Sequence, residues 1–241
     1  MIWIVQGRLV GPPFVFFQPM RRQIDLERLV SKARWSTNLH AAAMADTCPT
    51  LLYLWNMRLC GALLMPLHLV EILVRNAAAE ALGAQHGPTW PHSDAFRRRL
   101  PQVHSGYCAG TELEKAVRRS ARVDDVVAGL SFAFWHQLFT RRFDQSLWMT
   151  GFSRVFPHAL PLPSHALRAA AYADLSRLRQ LRNRIAHHEP IFHRDIRADL
   201  AAATRIIHSR SPSTLDWLLH HEGATSLLAT SPLEGKIAPP L

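Results

Sequence analysis

Leu51-Leu52-Tyr53-Leu54-Trp55-Asn56 opens the stretch whose reading decides the fold, and it continues through Leu59, Leu63, Leu67, Val70 and Val74 to Leu82. Leu52, Trp55, Leu59, Leu63, Leu67, Val70 and Val74 recur at a period of about 3.6 residues, the repeat of one helix face. Pro66 lies inside this stretch and predicts a kink, because it removes one backbone donor and crowds the preceding turn. An apolar helix this long is the central element around which the other segments must pack.

Working toward the N-terminus, Ile24, Leu26, Leu29, Val30 and Ala33 alternate with Arg22, Glu27, Arg28 and Lys32, which predicts an amphipathic helix from Arg21. Residues 1–20 are apolar but interrupted by Pro12, Pro13 and Pro19, an irregular extension with no basic region ahead of it to mark a secretory signal. Met20 is an alternative start.

Toward the C-terminus, Gly83 to Gly110 reads as a loop with one short helix near Ser93 to Leu100. Thr111 with Glu114 matches a capping box. A helix then restarts at Asp124-Asp125 and runs toward Arg142, with Phe132, Trp135 and Phe139 on one face, a spacing that suits core better than a base-stacking platform. Phe143 to Pro163 is a packed connector. Ser164 is placed to cap a helix reaching about Glu189, since Pro190 disfavours helix before it. Helices from Asp195 to Ser209 and Ser213 to His221 follow, Gly223 ends the last, and residues 223–241 form a tail expected to fray. The pattern has no strand-period alternation and no fixed repeat, so the class is all-α, with the helical domain over 21–222.

With 48% hydrophobic residues in 241, the chain can bury a sizeable core and is not a disordered polymer. Its net charge is +10, and only Lys32, Lys115 and Lys236 are lysines, so arginine carries the positive charge. Arginine grips phosphates with a two-pronged fork, and a basic chain favours RNA, DNA or an acidic surface as partner; an arginine-rich genome would leave the same imprint. Cys48, Cys60 and Cys108 are odd in number and unpaired in spacing, which speaks against a disulfide framework and for a reducing compartment. Uncharged runs such as Val126 to Thr140 fall short of the roughly 18 residues a bilayer span needs. The expectation is a cytoplasmic protein without a membrane partner.

The chemistry concentrates at the end of the Ser164 helix, where Arg177, Arg179, Arg182, Asn183, Arg184, His187, His188 and Glu189 surround the apolar positions Leu175, Leu178, Leu181 and Ile185. Asn183 and His187 stand four residues apart and are helix-surface neighbours; Arg182 sits about 140° around from His187 at about 100° per residue. An arginine to hold a phosphate, an amide to orient a group and an imidazole to move protons suffice for RNA cleavage by the ribose 2′-hydroxyl, with no metal or other cofactor. The bland alternative is a solvated basic helix end, which satisfies the helix dipole.

Arg182-Asn183-Arg184-Ile185-Ala186-His187 resembles the R-N-x-x-x-H form of the HEPN signature. The extension His188-Glu189-Pro190-Ile191-Phe192 is similar to the abortive-infection-like branch of that superfamily. Three further blocks agree with that branch: Leu51 to Asn56, Val70-Glu71-Ile72-Leu73-Val74-Arg75-Asn76, and Leu130-Ser131-Phe132-Ala133-Phe134-Trp135. The resemblance covers about Arg21 to His221. It implies a HEPN-like helical bundle in which Arg182 and His187 are catalytic and Asn183 supports them. It also implies a homodimer whose two motifs converge on one cleft, and an endoribonuclease of the toxin or phage-defence kind, with an antitoxin as possible partner. Some members only bind, so a non-catalytic RNA-binding or protein-assembly module is the alternative.

Arg179, Arg184, His188 and Arg75 are candidate substrate-binding residues, and Glu71 a candidate support. His68, Glu71 and Arg75 form a polar stripe on the long helix: Glu71 or Arg75 orients the catalytic arginine or binds RNA, or the two pair internally. Zinc at His187, His188 and His193 is disfavoured because no accompanying ligand spacing exists. A DNA-reading function lacks a helix-turn-helix pattern. Arg97 to Arg99 and His220-His221 read as surface.

Overall fold

The computed structural model describes residues 3–5, 8–10, 26–101, 106–120 and 122–233. The body is all-helical. The helices are α1 (Leu26–Leu29), α2 (Lys32–Met44), α3 (Pro49–His86), α4 (Asp94–Arg97), α5 (Ala109–Arg119), α6 (Val123–Gly129), α7 (Phe132–Gln137), α8 (Met149–Val155), α9 (Ser164–Ala186), α10 (Ile196–Arg210), α11 (Pro212–His221) and α12 (Ala224–Ala229). Within the N-terminal extension, read as irregular, Trp3–Val5 and Arg8–Val10 pair as a short antiparallel hairpin with Trp3 opposite Val10. The alternative start at Met20 and the pattern at Ile24 lie outside the described residues.

The long apolar stretch forms one 38-residue helix, α3, continuous through the buried Pro66. All seven positions of its predicted face are buried, and α2, α7, α8, α9, α10 and α12 pack around it. By length and composition α3 is apolar enough to cross a membrane, with an 18-residue window of mean hydropathy 1.7, which the expectation built on shorter runs overlooked. In this bundle 33% of that window is buried, and α3 serves as the core helix.

Several boundaries differ from expectation for local reasons. The first predicted helix breaks at Val30–Ser31, where the Ser31 hydroxyl accepts from Arg34 N and restarts the chain as α2; Leu29 is left exposed. Thr111 is not a cap, because α5 begins two residues earlier behind Cys108, and Glu114 pairs with Arg118 instead. The helix expected toward Arg142 is interrupted at Leu130–Ser131: Ser131 caps α7 through Phe134 N, and Glu112 accepts from both the Ser131 backbone N–H and its hydroxyl. The connector contains a π-turn at Asp144–Trp148 and α8. Arg168 of α9 forks onto both Asp144 oxygens at 2.7 and 3.2 Å, which anchors that wide turn to the bundle. Ser164 is the first helical residue rather than the cap, and its hydroxyl donates to Met149 O. The tail is not frayed over 224–233: α12 docks on α3, with Trp55 Nε1 donating to Leu227 O at 2.8 Å and Ala224, Leu228 and Leu233 buried.

Phe132, Trp135 and Phe139 are core, as their spacing indicates. Beside them His136 is 6% exposed, stacks on Tyr172 at 4.6 Å and meets Ser176 Oγ at 2.8 Å. Ser176 spends its own proton on Tyr172 O, so His136 Nε2 carries the hydrogen and donates. Burial, then the charge of Arg179, pushes His136 down to about 4 from 6.5. Between those values the unfolded chain takes up a proton that the folded one refuses, so stability is full above about pH 6.5 and falls on acidification. The loss expected by about pH 5 is about 2 kcal/mol, and His136→Gln should flatten that slope in urea melts run across the range.

Candidate functional site

Leu175, Leu178, Leu181 and Ile185 face the core, which leaves Arg179, Arg182 and Asn183 off the buried face, with Arg182 across the α3–α9 groove from Glu71. The helix ends three residues earlier than expected. His187 is the C-cap, and His188 adopts the left-handed conformation at φ 55°. Two backbone bonds close the end: His188 N to Ile185 O at 3.0 Å and Glu189 N to Arg184 O at 2.8 Å, the pattern of a Schellman cap. Glycine ordinarily fills the left-handed position because it has no Cβ to clash. His188→Gly should therefore raise stability by about 1 kcal/mol in thermal melts; an equal loss would show that the imidazole is held by its surroundings.

Arg184 is spent on this turn. Its Nε and Nη2 donate to Pro190 O, and Nη1 lies 3.3 Å from Glu189, so the arginine clamps the reversal it precedes rather than reaching outward to a substrate. Arg177, part of the predicted basic cluster, is likewise structural, held at 2.6 Å by the buried Asp199. Two residues to which the sequence assigned no role at the site pin the segment from the other side. Arg34 Nη2 of α2 donates to His187 O at 2.9 Å, and the buried Asn56 Oδ1 of α3 accepts from Ile191 N at 2.9 Å. A polar residue on the apolar face of α3 was the signal for Asn56. No pattern in α2 marks Arg34.

Glu71 faces Arg182 rather than Arg75, at a distance too long for a hydrogen bond. Its carboxylate lies 4.0 Å from Arg182 Nε across the α3–α9 groove, and no Glu71–Arg75 pair forms. Arg182 remains half exposed on the wall of a cleft of about 620 Å³, with Arg34, His188, Tyr53 and Phe192 also on its walls and Met57, Cys60 and Leu64 beneath. His187 and Asn183 do not line this cleft: His187 is exposed beyond its rim and Asn183 is half-buried. Arg75 and Arg179 are half-buried, each with a buried Nε that lacks a hydrogen-bond partner. Among the described residues no three histidine, cysteine or acidic side chains converge as a metal-ligand set, His187, His188 and His193 included. Burial, then Arg184 and His40, push His193 below its ordinary value.

Taken together, one chain offers an arginine on a cleft wall with a carboxylate 4.0 Å away, and an exposed imidazole at the adjacent helix end outside the same cleft, an arrangement able to hold a phosphate. Searches with this chain against protein-family models, curated proteins and solved structures give no match.

Proposed function

We propose that this chain is a metal-independent endoribonuclease of the HEPN, abortive-infection-like kind, acting in the cytoplasm as a symmetric dimer. The observation that supports the reading is the Glu71–Arg182 pair: at 4.0 Å the carboxylate draws the guanidinium to the groove without a hydrogen bond, which leaves its nitrogens free for a phosphate. Arg182 then stabilises charge on the pentacoordinate phosphorus, and His187 moves the proton as the 2′-oxygen bonds to phosphorus and the bond to the 5′-oxygen breaks. The products are a 2′,3′-cyclic phosphate and a 5′-hydroxyl. Asn183 orients one of these groups, and His188 supplies a contact on the cleft wall.

Because His187 lies off the cleft that Arg182 lines, a second chain is needed to bring an imidazole to the arginine. Support for such a partner is the exposed apolar face of α3 beside Arg182, with Met57, Leu64 and Met65 uncovered. The same separation favours the alternative, a non-catalytic RNA-binding or assembly module. RNA incubated with purified protein in excess chelator decides between them. Cleavage to cyclic-phosphate ends by a dimer is the expected result; binding without turnover, or a strict monomer, would assign the alternative.

A further inference from the structure

Most buried or half-buried arginines of the bundle have a carboxylate: Arg168 has Asp144, Arg177 and Arg194 share Asp199, Arg210 has Glu80 and Arg184 has Glu189. Arg75 and Arg179 do not. Each buries a Nε that finds no acceptor, and neither forms an ion pair among the described residues. The two helices run antiparallel, since Asn56 meets the backbone just past α9 at Ile191 while Glu71, further along α3, meets Arg182 within α9. Arg75 is four residues beyond Glu71, and Arg179 three before Arg182, spacings that keep each on the face of its predecessor. The register therefore sets Arg75 and Arg179 opposite each other, one turn along the groove from the Glu71–Arg182 pair.

Two like charges beside each other repel, and a buried N–H without an acceptor is costly. An oxyanion with several acceptor oxygens relieves both at once, and arginine forks fit that geometry. His136, which senses the charge of Arg179, and Ser176, bonded to it, border the same place. We propose that Arg75 and Arg179 form a phosphate-binding subsite in the α3–α9 groove, distinct from Arg182 and His187, that takes a backbone phosphate of bound RNA or a free phosphate group. Only the RNA source rests on the function proposed above.

The test is titration of inorganic phosphate into the full chain, followed by the ring resonances of His136 and the thermal midpoint. Phosphate should shift the His136 signals and raise the midpoint. Arg75→Gln and Arg179→Gln should each melt at or above the wild-type temperature without phosphate, since they remove the repulsion, and bind phosphate about tenfold more weakly or worse. Unchanged His136 signals in the wild type, or an undiminished response in the double variant, would overturn the subsite. A second arm measures binding of a short RNA to the His187→Ala chain. RNA binding weakened by both Gln variants assigns the subsite to the RNA backbone. Phosphate binding without RNA binding supports the subsite for a free phosphate and removes the nuclease reading. RNA binding that both Gln variants leave intact, with no phosphate response, overturns the subsite and spares the nuclease.

Discussion

Replacing His187 by alanine is expected to lower RNA cleavage by about two to four orders of magnitude, the usual worth of a positioned proton-transfer group, while leaving stability within about 0.5 kcal/mol. The two halves of that expectation come from different atoms. The residue's backbone is fixed, with its N–H on Asn183 O and its carbonyl held by Arg34, and alanine keeps both bonds. Its side chain is exposed and supports no packing. A fall in rate thus reports chemistry rather than unfolding. Arg182→Ala should fall as far, and Arg182→Lys should recover only part, since an ammonium keeps the charge but not the fork. The assay is a fluorescence-quenched RNA in excess chelator, with the melting temperature read on the same samples; wild-type rates from His187→Ala would end the proposed mechanism.

The largest loss of stability is expected at Asp199. This carboxylate is 0% exposed and holds two arginines: Arg177 Nε at 2.6 Å, and Arg194 through Nε at 3.0 Å and Nη2 at 2.9 Å. Arg194 also donates to Arg177 O, and Arg177 Nη2 to Asp195 O, so the cluster ties the turn after the motif back to the middle of α9. Alanine would strand two guanidinium groups with no counter-charge, a change that costs about 3 to 5 kcal/mol when one partner of a buried pair is removed. Asn keeps an acceptor and should lose less. Urea denaturation of the two variants checks the ordering; an Asp199→Ala chain within about 1 kcal/mol of wild type would mean that water replaces the carboxylate.

What could be read in the sequence follows from where the determining forces are local. The face of α3 was legible because seven apolar side chains repeat with the helix, and every one of them is buried. The end of α9 was not, because Pro190 announces a stop while the actual reversal is made by a histidine in a conformation that usually declares itself with glycine. Ser31 and Ser131 interrupt apolar patterns that continue across them, since a hydroxyl cap outcompetes the pattern only when the next turn finds a better surface. The candidate site divides the same way. Arg182, Asn183 and His187 stand out as residue types, but the partner of Glu71 depends on which turn of α9 lies across the groove, and Arg184 changes role because the chain folds back beneath it.

Three long-range hydrogen bonds, two of them at the motif, bear on when it can exist. Trp55 to Leu227, Asn56 to Ile191 and Arg34 to His187 join partners separated by 172, 135 and 153 positions. Closing contacts of such span is slow compared with forming helices. During synthesis α3 leaves the ribosome long before Pro190, Ile191 and Phe192, so the cleft cannot take its final shape until that reversal has been made. On the ribonuclease reading proposed above, the nascent chain would lack its site until that reversal has emerged and folded onto α2 and α3.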